Sequence, residues 1–252
     1  MEKIRCYIIN LETNFLRKKH VINNLVPNLK LFNVEIVKGI DGNLLSKNEI
    51  NYLFNGEKYY KNHLWNIKNQ EIGCCLSHRE CYKKLIETND VYCLVLEDDI
   101  KSKINYEKII SYINSLMHSN KPRILLLSGW FWYYKTKKIN ANYRLCKVFD
   151  ARIAHSYLIN REAASIILKE TPFYLADDWR RIGSLGIEIY GLTPHLIDPE
   201  PDVGRKSTIR IGLRGEYKFK LLTWLRNKSE GLIRRTLKMI GMYEDGLLHR
   251  DN

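Results

Sequence analysis

Tyr92-Cys93-Leu94-Val95-Leu96-Glu97-Asp98-Asp99 is an apolar run that ends on three consecutive carboxylates. Short and rich in large and β-branched apolar residues, it reads as a buried central strand whose acidic end lies where the strand leaves the core. Adjacent carboxylates repel one another, so a fold that holds them together at a strand end is expected to supply a cation. Alternation along a strand sends Glu97 and Asp99 to one face and Asp98 to the other. Hard oxygen ligands so arranged suit Mg²⁺ or Mn²⁺, which takes one or two carboxylates and fills its remaining positions with water and phosphate oxygens. The same three acids also fit a solvated turn that caps a following helix.

Working outward, Gln70 to Ile86 carries apolar residues at 72, 75, 76, 82, 85 and 86, approximately one helical face, which predicts a helix packed beside the acidic strand. Gly73 within it permits close backbone approach, and Ser77 and His78 follow a turn later. Ile4 to Asn10 reads as a first strand, followed by a helix to about Leu25. Asn10 and Arg17 then flank a strand end, where α/β sheets bind ligands, although Asn10 equally suits a structural cap. Asn33 to Lys38 alternates as a second strand closed by Gly39-Ile40-Asp41-Gly42, a turn signal that also places Asp41 and Gly42 near a ligand.

Ser46 to Phe54 is weakly helical, and Asn55 to Asn69 reads as a long polar loop. Further strands are expected at Arg123–Ser128, Leu145–Phe149, Arg152–Ile159 and Ile187–Leu192, with helices at Tyr106–Met117 and Arg161–Lys169. Trp130-Phe131-Trp132-Tyr133-Tyr134 puts five aromatics in a row, which suits core packing or stacking on a sugar or base. Asp177-Asp178-Trp179 is a second acidic pair in an apolar setting.

The composition, 45% hydrophobic and 27% charged, is that of a soluble globular chain, and 252 residues suffice for one α/β domain with a tail. Of the net charge of +13, +9 lies between Arg205 and Lys238, where eleven lysines and arginines face two glutamates. Tyr217, Leu221, Trp224 and Leu225 share a helical face there, with Lys218, Arg226 and Lys228 elsewhere around the helix. Such a basic amphipathic helix lies on an anionic membrane surface or packs that face on the body. The expected organisation is a catalytic domain over residues 1–200 and a basic helical tail over 201–252. No apolar stretch approaches the ~20 residues that span a bilayer, and the N-terminus has no signal-peptide profile, so a cytoplasmic location is expected. The six cysteines form no C-x-x-C pair and read as free thiols. Without a nucleic-acid motif, the basic tail gives no expectation of nucleic-acid binding.

In order, Ile8-Ile9-Asn10-Leu11 with Arg17, Gly39-Ile40-Asp41-Gly42, Gly73-Cys74-Cys75-Leu76-Ser77-His78 and Leu94-Val95-Leu96-Glu97-Asp98-Asp99 resemble glycosyltransferase family 25. Ala154-His155-Ser156-Tyr157-Leu158-Ile159 and the Asp177 region extend the resemblance to roughly residues 4–200. It implies an α/β GT-A-type fold, a Rossmann-like mixed sheet flanked by helices. It also implies inverting transfer of a hexose, galactose above all, from a UDP-sugar to a lipid-linked oligosaccharide acceptor in lipooligosaccharide synthesis. On that reading Asp99, supported by Glu97 and Asp98, holds Mn²⁺ or Mg²⁺ on the donor diphosphate, with His195 as a further ligand by analogy. Asn10, Leu11, Arg17, Asp41, Gly42, Gly73, Ser77 and His78 bind the donor. Asp178, with Asp177 second, is the expected base, and Trp179 offers a ring to the acceptor. The competing readings are a glucosyl-donor or retaining sugar-nucleotide transferase, and a non-catalytic basic binding module.

Overall fold

The structure is a computed structural model and describes residues 3–102, 109–200 and 221–246. Strand β1 (Ile4–Asn10) leads into helix α1 (Phe15–His20), which passes through a π turn and a 3-10 turn to β2 (Phe32–Lys38). Helices α2 (Lys47–Leu53), α3 (Gly56–His63) and α4 (Asn69–Glu87) precede the acidic strand β3 (Tyr92–Glu97). Then come β4 (Ile100–Ser102), α5 (Ile110–Met117), β5 (Arg123–Leu126), β6 (Phe131–Lys138), β7 (Arg144–Ala151) and β8 (Ser156–Asn160). Helices α6 (Arg161–Leu168) and α7 (Trp179–Ser184) are followed by β9 (Glu188–Thr193), β10 (Ile197–Pro199), α8 (Leu221–Met239) and β11 (Tyr243–Glu244). Residues 103–108, which include the start of one expected helix, lie outside the described residues, as do Tyr217 of the expected apolar face and Lys218 elsewhere on that helix.

The main sheet is mixed and runs β11-β6-β7-β9-β5-β8-β3-β1-β2. Strands β2, β1 and β3 are parallel, so Lys38, Asn10 and Glu97 come out at one edge. On the other side of β3, β8 runs antiparallel, with Leu96 opposite Ser156. That reversal brings the residues just before β8 to the same edge as the acidic strand end. Tyr92 to Leu96 are all buried, as the continuous apolar run requires of a central strand covered on both faces. Tyr7, Cys93 and Val95 pack on one face with α4, α6 and α7, whereas Cys6, Ile8, Leu94 and Leu96 pack on the other with α5 and the turn after α1.

Helix α4 is buried over more than its apolar face: Gly73, Ser77, His78 and Arg79 are also inaccessible. Arg79 donates to the carbonyls of Ile167 and Glu170 at the end of α6, and Arg161 at the start of α6 donates to those of Leu85 and Ile86 at the end of α4. Each helix thus satisfies the other's terminal carbonyls with a guanidinium. The expected loop at 55–69 contains α3, capped by Asn55, which accepts from the Lys58 amide. Only Tyr59 and His63 of α3 are buried, a stripe too thin to register as helical periodicity.

Within the aromatic run three side chains are committed to packing, while Tyr134 is exposed. Phe131 is in the core, Trp132 meets the Tyr243 ring at 5.0 Å, and Tyr133 donates to the Gly241 carbonyl. These side chains dock the C-terminal segment, where β11 adds to the edge strand β6. The division at residue 200 therefore does not separate the tail from the sheet. Among the described residues no helix is long and apolar enough to cross a membrane.

His195 is 2% exposed and sits between two carboxylates: Nδ1 meets Glu244 of β11 at 2.7 Å and Nε2 meets Asp198 of β10 at 3.0 Å. Burial opposes the charged ring, but the two carboxylates prevail and raise the His195 pKa above its ordinary value. A raised folded-state pKa gives stability that is full below the unfolded pKa and lost as pH rises through the folded one. Wild-type protein should therefore lose thermal stability as pH rises above the ordinary histidine value of 6.5, and His195→Gln should show a smaller loss over the same rise, as read by calorimetry.

Candidate active site

A cleft of about 490 Å³ opens at the carboxyl ends of β1, β2 and β3, where parallel α/β sheets take ligands. Leu11, Asn14 and Arg17 line it after β1, Asp41 and Gly42 after β2, and Ser77 and His78 from α4. The remaining wall is the acidic end of β3 together with Ile153, His155 and Asp177.

Asn10 and Arg17 organise the acidic turn. Asn10 Nδ2 donates to Asp98 at 2.7 Å, and Arg17 Nη1 reaches Asp98 at 2.8 Å and Asp99 at 3.0 Å. The cation demanded by adjacent carboxylates is thus built into the chain for two of the three. Asn10 is 3% exposed and is spent on Asp98 rather than on the cleft surface; Arg17 both holds the turn and lines the cleft. Strand β3 ends at Glu97, so Asp98 and Asp99 lie in the turn beyond it and share Arg17 rather than alternating between faces. Burial raises the Asp98 pKa against the opposing effect of Arg17 and Asn10.

Glu97 faces two imidazoles, His78 Nε2 at 3.4 Å and His155 Nε2 at 3.8 Å. Burial pushes its carboxyl up, but His155, His78 and Arg17 outweigh burial and hold it at about 2. Asp99 is raised, first by burial and then by the Glu97 charge, against His155 and Arg17. Ligand atoms of Glu97, Asp99 and His155 lie within 4.8 Å of one another. Asp99 Oδ1 and His155 Nδ1 are buried without a hydrogen-bond partner. Two carboxylates and an imidazole with unused capacity fit a divalent cation such as Mn²⁺.

His155 escapes a sequence reading because only the antiparallel pairing of β8 with β3 places it there; the Glu97 amide donates to its carbonyl at 2.9 Å. Ile153, two residues earlier, has φ of +63°, a conformation unfavourable for a β-branched residue. Its amide donates to Asp177 Oδ2 and its carbonyl accepts from Trp179 Nε1, so the neighbouring acidic segment holds the bend.

Gly73 and Gly42 do not contact a ligand through side chains; they let α4 and the 39–42 loop touch. A Cβ on Gly73 would meet the Ile40 oxygen at 2.4 Å and the Gly42 nitrogen at 2.5 Å, and one on Gly42 would meet the Asn69 oxygen at 1.7 Å. Ser77 clamps the contact, accepting from the Ile40 amide and donating to the Gly73 carbonyl.

The order of the second acidic pair reverses. Asp178 caps α7, accepting from the Arg181 amide, and pairs with His63 Nε2 at 2.7 Å; it is not among the residues lining the cleft. Asp177 is among them, and burial raises its pKa against the opposing Ile153 amide. Trp179 is 1% exposed and offers no ring to an acceptor. His195 lies outside the cleft with both ring nitrogens committed to carboxylates, which leaves no lone pair for a metal.

Residues 3–178 match the sequence model of Glycosyltransferase family 25 (LPS biosynthesis protein). The chain belongs to glycosyltransferase family 25. Every residue that lines the cleft falls inside that match, while His195 and α8 fall outside it. A "Glycosyltransferase 25 family member" of Aedes aegypti is 31% identical to this family 25 chain over 180 residues, which are 66% of this chain and 28% of that protein. The chain therefore corresponds to little more than a quarter of that relative's length. Among solved structures, the glycosyltransferase GlyE of Streptococcus pneumoniae has a TM-score of 0.39 at 8% identity, covering 99% of this chain and 66% of that one. A putative glucose-1-phosphate thymidylyltransferase of Bacillus anthracis has a TM-score of 0.39 at 10% identity, covering 78% and 89%. Likenesses this remote carry no argument about activity.

The glycine contact yields a test of the cleft's construction in this family 25 chain. Gly73→Ala forces the 39–42 loop off α4 and should destabilise the fold by about 1–3 kcal/mol in urea unfolding, as overpacking does.

Proposed function

We propose that this chain transfers a hexose, galactose first among the candidates, from a UDP-sugar to a hydroxyl of a growing lipooligosaccharide, with inversion. The observation that carries the reading is the grouping of Glu97, Asp99 and His155 in a cleft wholly inside the family match. These three residues would hold Mn²⁺ or Mg²⁺. A divalent cation bound there supplies charge stabilisation to the departing diphosphate. Arg17 adds a fixed cation beside it while anchoring Asp98. Leu11, Asp41 and Gly42 form the donor wall, and Ser77 keeps the 39–42 loop in place.

Asp177 takes the proton of the acceptor hydroxyl. Burial raises its pKa, which strengthens it as a base. The test is UDP release with Mn²⁺ and a panel of UDP-sugars, with product NMR to read the anomeric configuration. UDP-galactose should give a β-linked product, and silence with every UDP-sugar would overturn the reading. Asp177→Asn should lower kcat by about 10²- to 10⁴-fold, whereas Asp178→Asn should lower stability and keep turnover.

The enzyme works at the cytoplasmic membrane surface, held there by α8. This helix turns its polar face to the body: Arg226 donates to the Asn62 carbonyl at 2.6 Å, Glu230 pairs with Arg180 at 3.5 Å, and Arg234 pairs with Asp150 at 2.6 Å. Leu222, Leu225, Leu232 and Met239 are left exposed, beside exposed Lys228 and Arg235. An outward apolar stripe flanked by cations is complementary to an anionic lipid surface. Replacing Lys228 and Arg235 with Gln should weaken binding to phosphatidylglycerol vesicles by about 2 kcal/mol, near 30-fold, in co-sedimentation. Unchanged binding would sink the membrane role of α8.

A further inference from the structure

Cys74 and His78 are four residues apart on α4 and so share a helix face, and Glu97 at the end of β3 faces both. Cys74 Sγ, a ring nitrogen of His78 and a Glu97 oxygen lie within 4.8 Å of one another. We propose that Cys74, His78 and Glu97 form a second metal site, selective for a thiophilic divalent cation of the Zn²⁺ class, which competes with the Glu97–Asp99–His155 set for Glu97.

The state of His78 argues for a ligand. The ring is 2% exposed, yet Nε2 is buried with no hydrogen-bond partner and lies 3.4 Å from Glu97. Nδ1 is engaged at 2.7 Å by the Tyr157 hydroxyl, which meets the Tyr82 hydroxyl at 2.6 Å. Metal-binding histidines are arranged in this way: an outer partner fixes one nitrogen and aims the other. With Nδ1–H donating to Tyr157, a cation would take the place of the proton that Nε2 holds toward Glu97, and Nε2 would then offer its lone pair to the cluster.

Cys74 is set apart from the chain's other thiols. Among the cysteines it is half-buried and lines the cleft, whereas Cys6, Cys75, Cys81, Cys93 and Cys146 are buried. An ion therefore reaches Sγ from the cleft, and a cleft water completes a tetrahedron around three protein ligands. Ligation replaces the Sγ–H bond with a sulfur–metal bond and releases the proton to solvent.

Ligand softness separates the two sets. Thiolate and imidazole select Zn²⁺, while carboxylate-rich sets suit Mn²⁺ and Mg²⁺. Because Glu97 belongs to both, a soft cation on Cys74 and His78 withdraws a ligand from the hard set. This competition rests on the metal reading given under Proposed function, but the existence of the soft site does not.

The experiment titrates the metal-stripped full chain with Co²⁺ and follows the near-ultraviolet thiolate-to-cobalt charge-transfer band. The band should appear in wild type, vanish in Cys74→Ser and persist in Cys75→Ala. Its absence from wild type, its survival in Cys74→Ser, or its loss from a Cys75→Ala protein with native circular dichroism would each overturn the site. Tyr157→Phe should keep the band and weaken Co²⁺ binding about 10- to 100-fold, as loss of an outer-shell partner does; undiminished affinity would overturn the assignment of Nε2. Electron paramagnetic resonance of bound Mn²⁺ then reads the competition. Zn²⁺ should expel Mn²⁺ from wild type at concentrations that leave it bound in Cys74→Ser, and equal displacement from both overturns the shared-ligand claim. Failure of Mn²⁺ to bind at all would count against the hard set, while the cobalt band still decides the soft one.

Discussion

The fixed point of the molecule is the Asp98 carboxylate, held by Asn10 at 2.7 Å and Arg17 at 2.8 Å. These contacts tie the end of β1 and the first turns of α1 to the end of β3, two strands that are neighbours in the sheet. One amide and one guanidinium give this buried carboxylate polar and charged partners within the chain, without an outside cation. Because Arg17 also reaches Asp99, the mutual repulsion of the acidic turn is contained before any ligand arrives. Glu97 is then free to face His78 and His155, and the chemistry of the cleft is built around that division.

Helix α4 transmits the arrangement to the rest of the core. Its N-terminal half touches the 39–42 loop backbone through Gly73 and Gly42, its centre offers Cys74 and His78 to the cleft, and Arg79 reaches the end of α6. A helix with contacts on nearly every side cannot be strongly amphipathic, which explains why its buried serine, histidine and arginine interrupt the apolar pattern. Ser77 and Arg79 have their partners, as burial demands, while His78 has one at Nδ1 and none at Nε2.

Residues 221–246 join the body through charge, aromatic packing and one edge strand. Arg226, Glu230 and Arg234 of α8 turn inward, and β11 pairs with β6 while Glu244 reaches His195. Amphipathicity alone leaves open which face of such a helix meets the protein. Here the body offers Asp150, Arg180 and the Asn62 carbonyl, so the polar face docks and the leucines remain outside.

Local pattern was sufficient for the α/β class, for β1, β2, β3 and α4, and for the acidic strand end, because period and turn chemistry are properties of neighbouring residues. It also carried the family, since the matching blocks are contiguous. Tertiary structure decided which of those residues meet. His155 joins Glu97 because β8 runs antiparallel to β3, and Asp177 rather than Asp178 reaches the cleft because the first turn of α7 takes the second carboxylate as its cap. His195 is lost to Glu244, a partner 49 residues away. Pairings across such distances depend on strand order and on helix ends meeting in space, and no local period records them.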